Sequence, residues 1–238
     1  MILSPTGGLV YHLRAWQNRS TWESTRQQVT EAACAWLREL QTPAQQFEAP
    51  FTRRVGRMAI FGPSAGYLLE FAKFFTLVDR FGEVRIVEPD PIARVIWRRR
   101  WQKLPATIHR RVALSFDTRT DRLPWWSSKP DDFAHWLENE QIDTVLFFGL
   151  LGQIELLAPS FVRPTAMARQ LLQEALCDRP WASLHDLWSW PSTQVQIDHD
   201  THWLNAALEV EHQAAIDWQL TPYLRHELSF RSHRILSN

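Results

Sequence analysis

Two glycines four positions apart, Gly62 and Gly66, separate a short apolar run from a longer one in the stretch MAIFGPSAGYLL. The chain has only 8 glycines in 238 residues, so their pairing needs a local reason. Glycine adopts positive φ without strain, and its missing side chain lets a ligand approach the backbone. A turn after a buried strand lies at the edge of an α/β sheet where ligands bind. We therefore predict a ligand site at this turn.

Neither common phosphate-binding pattern fits this turn. The pattern G-x-x-x-x-G-K-[ST] is absent, and Ser64 and Tyr67 occupy the second and third glycine positions of the dinucleotide pattern G-x-G-x-x-G. The observed pattern is Gly62-x-Ser64-x-Gly66. This pattern disfavours a nicotinamide-dependent oxidoreductase. We keep that class as the third hypothesis, behind the two that are given below.

Two acids follow the next two apolar runs. Glu88 comes after VRIV and Asp117 after ALSF. A carboxylate accepts two hydrogen bonds and so suits the vicinal diol of a ribose. Glu88 lies at about the 20-residue offset from the glycines that a ribose-binding acid has in a βαβ unit. The plainer interpretation makes Glu88 and Asp90, in EPDP, turn and helix-capping residues.

Short apolar strands alternate with helices from Arg57 onwards, which predicts a mostly parallel sheet covered by helices on both faces. The predicted strands are RMAIF, EVRIV, RVALSF and DTVLFF, and the predicted helices are YLLEFAKFFTLV, PIARVIWRRRWQKL, DDFAHWLENE and TAMARQLLQEALC. Near the end, polar and apolar residues alternate on both sides of TPY, which predicts an antiparallel pair. The expected fold class is α/β, a Rossmann-like doubly wound sheet with a C-terminal antiparallel hairpin.

Residues 11–41 are predicted to be helical, with Ser20 and Glu23 as a capping box. Its apolar face comprises Trp22, Val29, Ala33, Trp36 and Leu37. We divide the chain into an N-terminal helical cap, residues 1–50, and a main domain, residues 51–238. Because the apolar face needs a partner, we expect the cap to form a lid beside the glycine turn.

In order along the chain, AIFGPSAG, VRIVEPDP, ALSFD and DTVLFFGLLGQ resemble the successive motifs of class I S-adenosylmethionine-dependent methyltransferases. The resemblance covers roughly residues 55–238. It implies a seven-stranded sheet that ends in an antiparallel hairpin. It also implies S-adenosylmethionine as cofactor and methyl transfer to an unidentified acceptor as the first functional hypothesis.

The resemblance assigns roles to individual residues. The implied cofactor-binding residues are Gly62, Ser64, Gly66, Glu88, Asp117 and Gly149. Glu88 would hold the ribose and Asp117 the adenine. Gln153, at the end of GLLGQ, is a candidate to orient the acceptor, and His185 is a candidate general base because imidazole titrates near neutral pH. A dedicated base is not obligatory, since positioning supplies much of the acceleration.

The sequence departs from this family at two positions. Ile60 stands where the family often has an acid that helps to hold the methionine end of the cofactor. Ser64 replaces the middle glycine. These departures leave three alternatives open: weak cofactor binding, a shifted ligand contact, or a methyltransferase fold that has lost catalysis. The last is the second hypothesis, a non-catalytic fold that acts as a binding or scaffold module.

Composition narrows the partners and the location. The formal net charge is zero, which gives no electrostatic case for nucleic acid or an anionic membrane. The asparagine–proline–proline–aromatic motif of base amino methyltransferases is absent after the fourth strand, which counts against amino methylation of nucleic acid. Small-molecule, protein and RNA oxygen acceptors stay open, and a small molecule or a protein is favoured over nucleic acid. Two cysteines indicate a reducing compartment. With no signal peptide and no membrane-length apolar run, we expect a cytoplasmic protein.

Three further clusters have plainer interpretations. The arginines and tryptophans of ARVIWRRRWQKL could stack on bases, but the neutral charge favours an exposed helix with tryptophans packed inward. His199 and His202 in IDHDTHW lack an evident third ligand, so we expect no metal. The chain's 13 tryptophans either line an aromatic pocket or pack in the core, and the sequence does not separate these.

Overall fold

The structure, a computed structural model, describes residues 9–40, 56–78, 81–117, 130–148, 174–176, 179–191, 197–198, 212–221 and 224–233. Its helices are α1 (Leu9–Gln17), α2 (Glu23–Glu39), α3 (Phe71–Leu77), α4 (Pro91–Gln102), α5 (Ala106–His109) and α6 (Pro130–Asn139). Its strands are β1 (Arg57–Phe61), β2 (Glu83–Val87), β3 (Ala113–Asp117), β4 (Ile142–Phe148), β5 (Trp181–Pro191), β6 (Ile197–Asp198), β7 (His212–Thr221) and β8 (Leu224–His233).

The strands form one sheet in the order β3-β2-β1-β4-β5-β8-β7, with β6 beside β5. The first five are all parallel. Strand β8 pairs antiparallel with both β5 and β7. The strand order reverses between β1 and β4, which is the topological switch point of a doubly wound sheet. The predicted α/β class with a parallel sheet is confirmed.

Strand β1 is buried on both faces. Met58 and Ile60 lie in a core shared with α2, α3 and α4, whereas Ala59 and Phe61 lie in a second core with α6. Side chains alternate between the two faces of a strand, so a strand covered on both sides is apolar throughout. The sequence RMAIF therefore identifies an interior strand of the sheet.

The N-terminal helices are attached to the main sheet. The apolar face of α2 contributes Val29, Ala33, Trp36 and Leu37 to the core that also contains Met58 and Ile60. The division of the chain at residue 50 stays a prediction. The capping box was a wrong prediction: α2 begins after Trp22, and no side chain caps it.

Two other element predictions need correction. The helix after the glycine turn begins at Phe71 rather than Tyr67, because Gly66 has positive φ and its carbonyl accepts the Leu69 N–H in a separate turn. Strand β5 (Trp181–Pro191) was not located from the residue pattern, although the seven-stranded sheet implied by the resemblance requires a further strand. The predicted helix over residues 165–177 lies mostly outside the described residues.

Among the helices described, none is long and apolar enough to cross a membrane.

Candidate functional site

The glycine turn lies at the switch point of the sheet. Strand β1 ends at Phe61, which is in register with Val87 of β2 and Phe147 of β4. The Gly62 N–H donates to the Val87 carbonyl over 3.0 Å, and Asp117 lies in register with Val87 on the other side. The structure thus brings the turn and both predicted acids to one edge of the sheet. Their roles in binding a cofactor stay predictions.

Three residues of the turn have left-handed backbone conformations. The φ angles are 65° at Gly62, 48° at Ser64 and 67° at Gly66. A Cβ atom on Gly66 would lie 2.7 Å from the ring of Phe71 and 3.0 Å from that of Trp97. Gly66 therefore has a packing reason as well as a conformational one. Ser64 adopts the left-handed conformation without being glycine, at a cost of roughly 1–2 kcal/mol.

Side chains of helix α4 donate hydrogen bonds to the backbone carbonyl groups of the turn. The indole Nε1–H of Trp97 donates to the Ser64 carbonyl over 2.6 Å. The guanidinium of Arg100 donates to three further carbonyls, those of Ala65 (3.0 Å), Gly66 (2.5 Å) and Leu69 (2.9 Å). Burial, and then the nearby Arg26, lower the pKa of Arg100 to about 10. The interpretation of α4 as a helix with inward tryptophans is correct for fully buried Trp97. Arg100, expected to be exposed, is instead partly buried and forms hydrogen bonds with the turn.

Glu88 is a buried carboxyl at the end of β2, only 5% exposed. Its Oε1 accepts the Asp90 N–H over 3.0 Å, and the backbone of Ser64 lies near enough to lower the pKa of the carboxyl. Burial raises the pKa of Glu88 to about 7, with a smaller contribution from Asp90, although both backbone groups and Arg94 act in the opposite direction. The group thus titrates near neutral pH and lies beside the glycine turn.

Asp90 has the capping role that the plainer interpretation gave it. Its Oδ1 accepts the Ile92 N–H at the start of α4 over 2.8 Å. Its Oδ2 lies 2.9 Å from Nε2 of His12, a residue of α1 that is 5% exposed. Because a carboxylate only accepts, Nε2 is the donor. The other ring nitrogen of His12 lies 2.9 Å from the Tyr67 hydroxyl, so α1 contacts the loops after both β1 and β2.

Helix α2 also contacts the loop after β1. Arg26 Nε donates to the Tyr67 carbonyl over 2.9 Å. The Glu70 N–H donates to the hydroxyl of Thr30, also over 2.9 Å, and that hydroxyl donates to the Arg26 carbonyl. The N-terminal helices therefore pack against the segment that follows the glycine turn, as a lid beside the site would.

Asp117 lies at the end of β3 and is buried. Its Oδ2 accepts the indole N–H of Trp136 over 3.2 Å. Trp136 packs against Phe61 and Phe133 in the second core. The carboxylate predicted to meet adenine is thus tied to the helix layer on that face.

Several predicted residues cannot be placed in the site. Gly149, Gln153, His199 and His202 lie outside the described residues. His185 lies in β5, with Ser229 as its register partner. Across the described ranges, no group of three or more His, Cys, Asp or Glu residues is arranged to hold a metal ion. Among the tryptophans, Trp22, Trp36 and Trp97 are core residues, and Trp16 is 61% exposed.

Sequence reasoning missed His12, Trp97 and Arg100 as residues of the site. Trp97 and Arg100 are three positions apart and so share a face of α4. Because α4 directly follows the predicted ribose acid, this spacing could have suggested a helix face turned towards the glycine turn. No comparable signal marks His12, which lies 78 residues from Asp90 in the chain.

No protein-family model and no curated protein matches the sequence. Three solved structures show what the chain is similar to. The glycopeptide N-methyltransferase MtfA is 12% identical, with a TM-score of 0.40 over 86% of this chain and 95% of that one. The human methyltransferase 10 domain containing protein is 10% identical, with a TM-score of 0.41 over 93% and 94%. Rv0187 from MTB, in a cofactor-bound structure, is 15% identical, with a TM-score of 0.41 over 95% and 91%.

Two of these proteins are methyltransferases by description, the class that the sequence motifs resemble. Likenesses this distant assign no function to the present chain.

Proposed function

We propose that this chain binds S-adenosylmethionine at the carboxyl ends of β1 and β2 and transfers its methyl group to an acceptor. The observation that carries the proposal is that a turn with left-handed residues and the buried carboxyl of Glu88 lie side by side at the ends of β1 and β2. They lie at the switch point of a doubly wound sheet, where such folds bind ligands.

The residues present suit a nucleoside with a free diol. Ionised Glu88 accepts hydrogen bonds from two hydroxyl groups, and its pKa of about 7 leaves the charged form accessible under ordinary conditions. Gly62 and Gly66 let the ligand approach the backbone, and Asp117 on the neighbouring strand offers a further acceptor for adenine. The cofactor supplies an activated methyl group. The chain's part is to position it and to exclude water with the N-terminal helices.

The acceptor is proposed to be a small molecule or a protein. The neutral net charge and the missing base-methylation motif, described above, support this choice over nucleic acid. Gln153 and His185 stay candidates for orienting the acceptor and for accepting its proton. The cytoplasm, where the two cysteines would stay reduced, is the proposed location.

One observation favours the alternative of a non-catalytic binding or scaffold module. Ile60 is fully buried in the apolar core, so no acid at that position can help to hold the methionine end of a cofactor. If the alternative is right, the chain binds the cofactor weakly or not at all and transfers no methyl group.

Calorimetry tests the proposal directly. We expect purified protein to bind S-adenosylmethionine and its demethylated product, S-adenosylhomocysteine, and not NAD. Absence of binding to both sulfur ligands at about 1 mM, a free energy of only about −4 kcal/mol, would contradict the proposal. Binding without any transfer of labelled methyl to cell-extract small molecules or proteins would favour the scaffold alternative.

A further inference from the structure

We infer that Arg100 is a positioning residue for the glycine turn, and that it compensates for the serine that stands at the turn's middle position. This inference rests on the proposed function, because the turn it positions is the proposed cofactor site. Arg100 contacts the turn from helix α4, through the carbonyl groups of the turn, and is not a catalytic residue.

The first observation is the set of groups that Arg100 contacts. Its guanidinium donates to the carbonyls of Ala65, Gly66 and Leu69, and it lies 3.8 Å from the centre of the Phe71 ring. The planar guanidinium has several donors in a fixed arrangement, so it can hold several carbonyls at once. An ammonium group on a flexible stem cannot reproduce that arrangement.

The second observation is the charge environment of Arg100. The charged and titratable groups that act on it are a second cation, Arg26, and the Tyr67 phenol. Within the described ranges no carboxylate forms an ion pair with it. A partly buried cation without an acid is costly, so backbone carbonyls must provide its compensation. Those carbonyls belong to the turn.

The third observation is the direction in which the turn presents its backbone. Trp97 and Arg100 together hold the carbonyls of Ser64, Ala65 and Gly66 towards α4. On the other side, the backbone of Ser64 lies near the carboxyl of Glu88. These hydrogen bonds to the carbonyls thus keep Ser64 at a φ of 48°. Glycine would adopt this conformation without such stabilisation.

The test compares variants in their affinity for S-adenosylhomocysteine, measured by calorimetry. Arg100→Lys should weaken binding by about tenfold or more, which corresponds to about 1.4 kcal/mol. Arg99→Lys, an exposed neighbour on the same helix, is the matched control and should change affinity less than about twofold. Equal affinity of wild type and Arg100→Lys would overturn the inference while leaving the proposed function intact.

A second arm separates positioning from general stability. In the Arg100→Lys background, Ser64→Gly should recover part of the lost affinity, because glycine holds the left-handed conformation without the hydrogen bonds from Arg100. In the wild-type background the same change should gain less. If the effects of the two substitutions on affinity are additive, the inference is wrong. Additivity would mean that Ser64→Gly changes affinity equally with and without Arg100, as expected when Arg100→Lys only lowers general stability.

Amide hydrogen exchange without ligand provides a readout that does not depend on the cofactor. Residues 62–70 should exchange faster in Arg100→Lys, while amides of β1 and β4 stay protected. If Arg100→Lys fails to fold, Arg100→Gln, whose single amide group cannot donate to all three carbonyls in the same arrangement, should show the same local change. Unchanged exchange in a folded variant would overturn the inference. If wild type binds neither S-adenosylmethionine nor S-adenosylhomocysteine, the proposed function is wrong, and Arg100 then positions no cofactor site. The exchange rates of residues 62–70 would still show whether Arg100 stabilises the turn.

Discussion

Glu88 has two opposed requirements at the scale of a single residue. Ligand binding needs a charged acceptor, but burial at 5% exposure makes the charge costly and raises the pKa of Glu88 to about 7. The N–H group of Asp90 and the backbone of Ser64 reduce this cost without removing it. Functional sites often contain carboxyls held in such surroundings.

We predict that Glu88→Gln stabilises the protein at alkaline pH. The folded pKa of about 7 lies above the ordinary value of 4.5, so the folded state holds the proton more tightly than the unfolded state does. The free energy of unfolding therefore falls as pH rises from 4.5 towards 7 and is lowest above that range. A pKa difference of this size between the folded and unfolded states corresponds to about 3 kcal/mol in the free energy of unfolding.

Chemical denaturation at several pH values measures this effect. Glu88→Gln should match wild type near pH 4.5 and exceed it at pH 8. Glu31→Gln, at a surface site whose carboxylate pairs with Lys73, is the control and should leave the pH dependence unchanged. A Glu88→Gln protein less stable than wild type at pH 8 would show that the carboxylate is stabilised in its charged form.

We also predict that Gly66→Ala destabilises the turn. The new Cβ would lie 2.7 Å from Phe71, and a φ of 67° disfavours any residue with a Cβ. The backbone term alone is roughly 1–2 kcal/mol. Ser64→Ala, which keeps both Cβ and backbone conformation, should change thermal stability much less. Equal melting temperatures for wild type and Gly66→Ala would mean that the turn relaxes without cost.

The sequence located the site's backbone and acids but not its supports. The glycine spacing and the strand-end acids place Gly62, Gly66 and Glu88 at one edge, because parallel strands end at the same side of a sheet. The hydrogen bonds of Trp97 and Arg100 join residues more than 30 positions apart. Such pairings depend on how α4 packs on the sheet, which no local pattern encodes.

At the scale of elements, the side chain of His12 joins α1 to both loops of the site. His12 bridges Tyr67, after β1, and Asp90, after β2. Of the described side chains of α1, Leu9, Leu13 and Trp16 are exposed, whereas His12 and Ala15 are buried. Among these side chains, His12 is the one that makes hydrogen bonds to both loops.

We predict that His12→Ala frees α1 from the site. Each of its two partly buried hydrogen bonds contributes about 1 kcal/mol, so the population of the detached helix should grow by about tenfold or more. Faster amide exchange across residues 9–17 would show this directly. Leu13→Ala provides the control on the same helix. Equal protection of α1 in His12→Ala and wild type would show that other contacts hold it.

Strands β1 to β4 were predicted from their short, largely apolar runs, which a doubly covered sheet favours. This holds even for β3, which lies at the edge of the sheet and is buried only in part. The missed strand β5 has the sequence WASLHDLWSWP, in which Ser183, His185 and Asp186 interrupt the apolar residues. Its first four residues are nevertheless buried against β4, because tertiary pairing buries small and polar residues that no apolar run announces.

For the whole molecule, the alternation of strands and helices was enough to predict a doubly wound sheet. Right-handed crossovers leave few topologies for such a pattern, and the reversal between β1 and β4 then fixes one ligand-binding edge. The nature of the ligand does not follow from topology. It depends on a few side chains at that edge, with Glu88 as the decisive one.

The affinity of Glu88→Ala for S-adenosylhomocysteine therefore tests the proposed site most directly. We expect wild type to bind and Glu88→Ala to bind more than about 100-fold more weakly, because two charge-assisted hydrogen bonds worth roughly 1.5–3 kcal/mol each are lost. Gly62→Val should behave in the same way, since valine blocks the backbone and disfavours the φ of 65°, and Asp117→Ala should lose less. Unchanged circular dichroism of Glu88→Ala would show that the fold is intact. If wild type binds and Glu88→Ala binds equally well, the cofactor site does not lie at the ends of β1 and β2.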